Sequence, residues 1–205
     1  MAKLKLSYFD FNGGRGEVAR LALSLGGVPF EDHRIPIADW PAVKERTRFH
    51  AVPLLEVDGE VITQSNAINR FVGKLADLYP ADALQAARCD EVMDAVEDVV
   101  TRVVATFGIA DEAEKRAARE VLVEGPIRLY LVRLQELLQA GGGQYFADDR
   151  LTVADLKVFV WIRSLRSGIL DHVPVDLTER VAPRLVEHCE RLGKHPGIAA
   201  YYEAH

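Results

Sequence analysis

The stretch VPLLEVDGEVITQS, Val52 to Ser65, holds two short β-like runs on either side of a turn signal and ends at the start of a helical pattern. Asp58-Gly59 is a hairpin dipeptide, so Val52–Val57 and Glu60–Thr63 are expected to pair antiparallel. Pro53 conflicts with this, because proline cannot donate a ladder hydrogen bond. Two geometries reconcile it. Val52-Pro53 can be cis at the strand's start, leaving the Val52 N–H and C=O open to an extended ligand. Alternatively the proline is trans on an edge strand, which base rates favour. Ser65 can cap the next helix, whose inner face is Ile68, Phe71, Val72 and Leu75.

Upstream, Lys3–Tyr8 alternates with period two and reads as a strand. Glycines 13, 14 and 16 make a turn, and Val18, Leu21, Ala22 and Leu25 mark one face of a helix that stops at Gly26-Gly27. Phe30–Ile35 is a second strand, parallel to the first across a right-handed crossover. The order is βαβ then ββα. Past Leu78-Tyr79-Pro80-Ala81 only helical patterns remain. Val92, Val96, Val99, Val100, Val103, Val104 and Phe107 form one stripe. Asp111 with Glu114 starts a helix that Pro126 should kink or interrupt. Gly141–Gly143 ends it, Thr152–Asp155 starts another, and His195-Pro196-Gly197 precedes a short terminal helix. The expected domains are 1–79, α/β, and 80–205, all-α.

The 205 residues, 49% of them hydrophobic, are enough for a substantial core in one large or two small domains. A net charge of −6 argues against a nucleic-acid backbone as partner. Lys3 and Lys5 interrupt the first apolar residues, so no signal peptide is expected, and no run of about 18 apolar residues spans a membrane. Cys89 and Cys189 form no C-x-x-C pair and read as two buried thiols in a reducing, cytoplasmic setting.

Several positions carry candidate chemistry. A phenol donates a hydrogen bond at neutral pH, so Tyr8 can either pack in the core or stabilise a thiolate. Arg15 can add positive field at the same sulfur. Trp40 and Lys44 can meet one carboxylate or be a packed aromatic and a solvated charge. Gln64-Ser65, at a helix N-terminus, suits another carboxylate or is a plain cap. The glycine turn lacks the Lys-Ser/Thr of a phosphate loop. Asp90, Asp94, Glu97 and Asp98 make an acidic helix side with spacing too unspecific to require a metal.

Together, Tyr8-Phe9, Arg15 with Glu17, Phe30–Ile35, Ala38–Pro41, Val52–Gly59, Gln64-Ser65 and, more thinly, Thr152–Asp155 resemble a cytosolic glutathione transferase, most closely the sigma class with its prostaglandin D synthases and S-crystallins. The resemblance implies a thioredoxin-like N-terminal domain, an all-α C-terminal domain and a cis Val52-Pro53. Glutathione would be the co-substrate. Val52 would pair its cysteinyl main chain, Gln64 and Ser65 its γ-glutamyl end, and Trp40 and Lys44 its glycine carboxylate. Tyr8, with Arg15, would activate the thiol. A homodimer is implied, with Asp98 reaching glutathione in the partner subunit. A small hydrophobic electrophile would be bound between the domains by Phe9, Arg15, Arg102, Ala105 and Phe107. Alternatives on the same fold are a non-catalytic glutathione-binding protein and a glutathione-dependent isomerase or peroxidase. Three features depart from the class: the Asn12–Arg15 turn is one residue longer, Ala51 replaces a polar contact to the glycyl end, and Ala105 replaces a pocket tryptophan of the vertebrate prostaglandin D synthases.

Overall fold

In the computed structural model, which describes residues 2–205, the chain opens with β1 (Leu4–Phe9), α1 (Gly14–Leu25) and β2 (Glu31–Ile35). A short 3-10 turn, Ile37–Asp39, leads into the single-turn α2 (Trp40–Lys44). The hairpin β3 (Leu54–Val57) and β4 (Glu60–Thr63) and the helix α3 (Ser65–Leu75) follow. The four strands form one sheet in the order β2-β1-β3-β4. β1 and β2 are parallel, and β1–β3 and β3–β4 are antiparallel. This is a thioredoxin-like arrangement, and Val52-Pro53 is cis.

Alternation along β1 buries Leu4, Leu6 and Tyr8 on one face. α1 packs on β1 and also against α3. It is buried nearly all round: every residue from Gly16 to Leu23 is inside, Glu17 and Arg20 included. The expected apolar face was therefore only part of its contact surface. In α3, Ile68 and Val72 are inside as expected, but Leu75 is exposed, and Asn66 and Asn69 take buried places instead. Ser65 opens this helix rather than capping it, since Gln64 holds the cap position.

The remaining helices are α4 (Ala83–Ala105), α5 (Glu112–Leu122), α6 (Arg128–Ala140), α7 (Val153–Arg166), α8 (Leu177–Val181), α9 (Pro183–Gly193) and α10 (Pro196–Ala204). The inner stripe of α4 is Val92, Val96, Val99 and Val103, while Val104 and Phe107 are exposed. Asp111 caps α5 by accepting the Glu114 N–H at 2.8 Å. At Pro126 the chain does not bend out of helix. It takes one turn of π-helix, Val123–Ile127, which absorbs the lost donor and carries on into α6. α7 starts with a complete reciprocal cap between Thr152 and Asp155.

The chain forms two compact units, Met1–Pro80 with His195–His205, and Ala81–Lys194. The last helix thus belongs with the first unit, packed on α1, and residues 80–205 do not stay together as one helical body. Cys89 and Cys189 are both buried free thiols, pushed up to about 11 by burial. Among the described residues, no helix is long and apolar enough to cross a membrane.

Candidate functional site

Strand register gathers the candidate residues of the first unit at one end of the sheet. Ser7 pairs with Leu54 and Leu54 with Thr63. One step further lie Tyr8 on β1, Pro53 just before β3 and Gln64 just after β4. Phe9 pairs with Ile35, so the segment leaving β2 at that same end carries Trp40 and Lys44. Residues from four separate stretches of sequence converge because all four strands of the sheet end or begin there.

Tyr8 is only 5% exposed and packs with Ile35 and Val52, with Phe9, Trp40, Val43 and Leu54 around them. Its ring meets Phe9 at 5.2 Å and Phe11 at 5.7 Å between centroids. The phenol oxygen accepts the backbone N–H of Arg15 at 3.0 Å. An oxygen that accepts there polarises its own O–H and makes it a stronger donor. The first turn of α1 reaches this close because glycines stand at the two positions that face Tyr8, 14 and 16. A Cβ on Gly14 would lie 2.4 Å from the Tyr8 oxygen, and one on Gly16 would lie 2.3 Å from the ring. The longer turn ends with Arg15 still beside Tyr8, through its backbone, with its side chain half-buried.

Trp40 sits edge-on to Phe9 at 5.2 Å. Lys44 is four residues on, at the other end of α2, so the two side chains share one helix face. Val52 and Pro53 are buried, while Gln64 is exposed. Gln64 has φ 71° and ψ 116°, a conformation an L side chain rarely adopts. Such strain concentrates where a backbone is held for a ligand. Ser65 then begins α3, whose N–H groups point out of this end of the sheet. Ala51, where a polar contact was expected, donates its N–H to Thr47 Oγ1 at 3.0 Å. His50 is exposed and lies 3.8 Å from Glu45.

The other candidates belong to the helical unit. Asp98, on the exposed side of α4, accepts the Tyr130 hydroxyl at 3.2 Å. Arg102 lies over the Tyr130 ring at 5.9 Å. Ala105 ends α4, and Phe107 in the following turn is covered on one face by the Arg119 guanidinium at 5.2 Å. Of the acidic side of α4, Glu97 pairs with Lys157 at 2.6 Å. Among the described residues, no three His, Cys, Asp or Glu side chains come together as a ligand set for a metal.

A family model for the glutathione S-transferase N-terminal domain matches residues 4–74, and one for the C-terminal domain matches residues 97–205. The chain belongs to the glutathione S-transferase family. Members of this family use glutathione as co-substrate. This transferase is 34% identical over 196 residues to glutathione S-transferase 1 of Ascaris suum, covering 94% of this chain and 93% of that one. It is 32% identical to a hematopoietic prostaglandin D synthase of Gallus gallus, covering 99% and 96%. Among solved structures it resembles the prostaglandin synthase D of Nilaparvata lugens with a TM-score of 0.83 and 31% identity over 98% of this chain and 97% of that one.

Sequence reasoning missed the buried ions beneath Tyr8. Arg20 is fully buried and donates to Asp32 Oδ1 at 2.9 Å, to the Phe11 carbonyl at 3.0 Å and to the Phe9 carbonyl at 3.1 Å. Its guanidinium lies 5.6 Å from the Tyr8 ring centroid. Glu17 is equally buried, 3.6 Å from Arg20, and burial pushes its carboxyl above the usual range. The signal was present: Glu17 and Arg20 are interleaved with Val18 and Leu21, where a helix packed on one side only would keep them out.

Proposed function

We propose that this chain binds glutathione at the end of the sheet bearing Tyr8, activates its thiol there and transfers it to a small hydrophobic electrophile. The carrying observation is the buried Tyr8 hydroxyl, whose oxygen accepts the Arg15 N–H at 3.0 Å. A polarised phenol donates to a developing thiolate, favours loss of the thiol proton and leaves a nucleophile at neutral pH.

Val52, beside the cis Pro53, would pair the cysteinyl main chain of glutathione. Gln64 and Ser65, at the positive end of α3, would take the γ-glutamyl carboxylate, and Trp40 and Lys44 the glycine carboxylate. Arg15 would add positive charge near the sulfur. Phe9, Arg15, Arg102, Ala105 and Phe107 would line the electrophile's pocket, whose apolar character selects apolar co-substrates. Asp98 would serve glutathione held by the partner subunit of a homodimer. This reading makes the protein a cytoplasmic, sigma-class enzyme of detoxification type.

Replacing Tyr8 with Phe should cut turnover of a model electrophile about 10- to 100-fold while glutathione still binds, because one aimed donor is lost. Unchanged turnover refutes the role. A second reading, glutathione-dependent isomerisation with the same thiol, is favoured by the prostaglandin D synthase relatives. Assaying conjugation and prostaglandin D formation side by side separates the two.

A further inference from the structure

We infer that Arg20 is a positioning residue for Tyr8: from behind the site it fixes the end of β1 and holds its positive charge against the ring that carries the thiol-activating hydroxyl. The inference rests on the reading of Tyr8 above.

Arg20 spans one carboxylate and two carbonyls, those of Asp32, Phe11 and Phe9. Phe9 follows Tyr8 directly, so two of these bonds clamp the chain where it leaves β1. A guanidinium can hold three acceptors at once because its donors form a rigid fork. At 5.6 Å from the Tyr8 centroid the charge is within cation–π range, and with no exposure it is little screened. A cation there favours electron density moving onto the phenol oxygen as a thiolate forms in front of it.

The charged and titratable groups facing Arg20 come from every neighbouring element. Glu17 is on its own helix at 3.6 Å. Asp32 on β2 is shared with Arg34, whose Nε donates to it at 2.8 Å. From α10, Tyr201 and Tyr202 approach Glu17.

The test is a pH titration of the thiolate absorbance of bound glutathione in the full chain, in a cycle of wild type, Tyr8→Phe, Arg20→Gln and the double variant. Arg20→Gln is expected to raise the bound thiol pKa by about one unit, with no further rise in the Tyr8→Phe background. Arg20→Lys keeps the charge but cannot span three acceptors, and is expected to raise it by about half a unit. A folded Arg20→Gln with the wild-type value, or a shift as large without Tyr8, overturns the inference. If Arg20→Gln does not fold, a wild-type value in Arg20→Lys overturns it. Should wild type and Tyr8→Phe bind glutathione with the same thiol pKa, the reading of Tyr8 fails instead.

Discussion

Asp155 and Glu17 are both fully buried carboxylates, one in each unit, and they are kept in opposite ways. Asp155 receives four hydrogen bonds. Phe146 N–H and His188 Nε2 reach Oδ1 at 3.1 and 3.0 Å, and the Thr152 N–H and hydroxyl reach Oδ2 at 2.9 and 2.8 Å. Glu17 has Gly13, Arg20 and Tyr202 nearby favouring its charge, yet neither oxygen completes a well-formed hydrogen bond within the chain. A buried charge with all its partners knits the helical unit together. A buried charge short of partners is an energetic cost that the first unit carries directly behind Tyr8. The difference follows the place of each: one fixes a helix start, and the other sits behind Tyr8, where glutathione is proposed to bind.

The sharpest way to break this comparison is Asp155→Ala. It leaves the His188 ring and the Thr152 donors without an acceptor, and should cost about 3–5 kcal/mol. Denaturant unfolding measures this, and a cost below about 1 kcal/mol would mean the network is not structural. Next comes Gly16→Ala. Its Cβ would enter the Tyr8 ring at 2.3 Å, so the ring must move, at about 1–3 kcal/mol of overpacking. Turnover is expected to fall further than the melting temperature explains, and equal losses would deny Tyr8 its role.

Glu17→Gln is the smallest and the most diagnostic change. Burial raises the Glu17 pKa above the ordinary 4.5. The native state then holds this proton more tightly than the unfolded chain does, so wild-type stability from this group falls as pH rises above about 4.5. The neutral variant escapes that loss. Its stability relative to wild type should therefore improve from pH 4 to pH 7, at a limiting slope of about 1.4 kcal/mol per pH unit while the native carboxyl keeps its proton and the unfolded one has lost it. Denaturant midpoints across that range are the check, and a relative stability that declines would show Glu17 to be well paired.

Local signals made the strands, the hairpin and most helix starts legible. Asp58-Gly59, Gly26-Gly27, Thr152–Asp155 and Pro126 each act within a few residues of themselves. The site was legible only as an assembly, because Tyr8, Trp40, Val52 and Gln64 meet through strand register and not through any motif. α1 hid the most. A helix buried on nearly all sides has no single apolar stripe, so a charged residue such as Arg20 is not marked as inside by periodicity. Two of the acceptors of Arg20 are backbone carbonyls, which the side-chain pattern does not advertise. The place of α10 was equally hidden, since periodicity reports that a helix has an inner face but not what covers it.

That last helix has a consequence in time. Residues 1–80 are synthesised first, yet their unit is completed by residues 195–205. Until those emerge, α1 lacks the cover of Tyr201 and Tyr202, and Glu17 and Arg20 stay within reach of water. The entire helical unit, Ala81–Lys194, is translated in between. The unit that opens the chain thus receives its last helix only after all of the other unit has been translated.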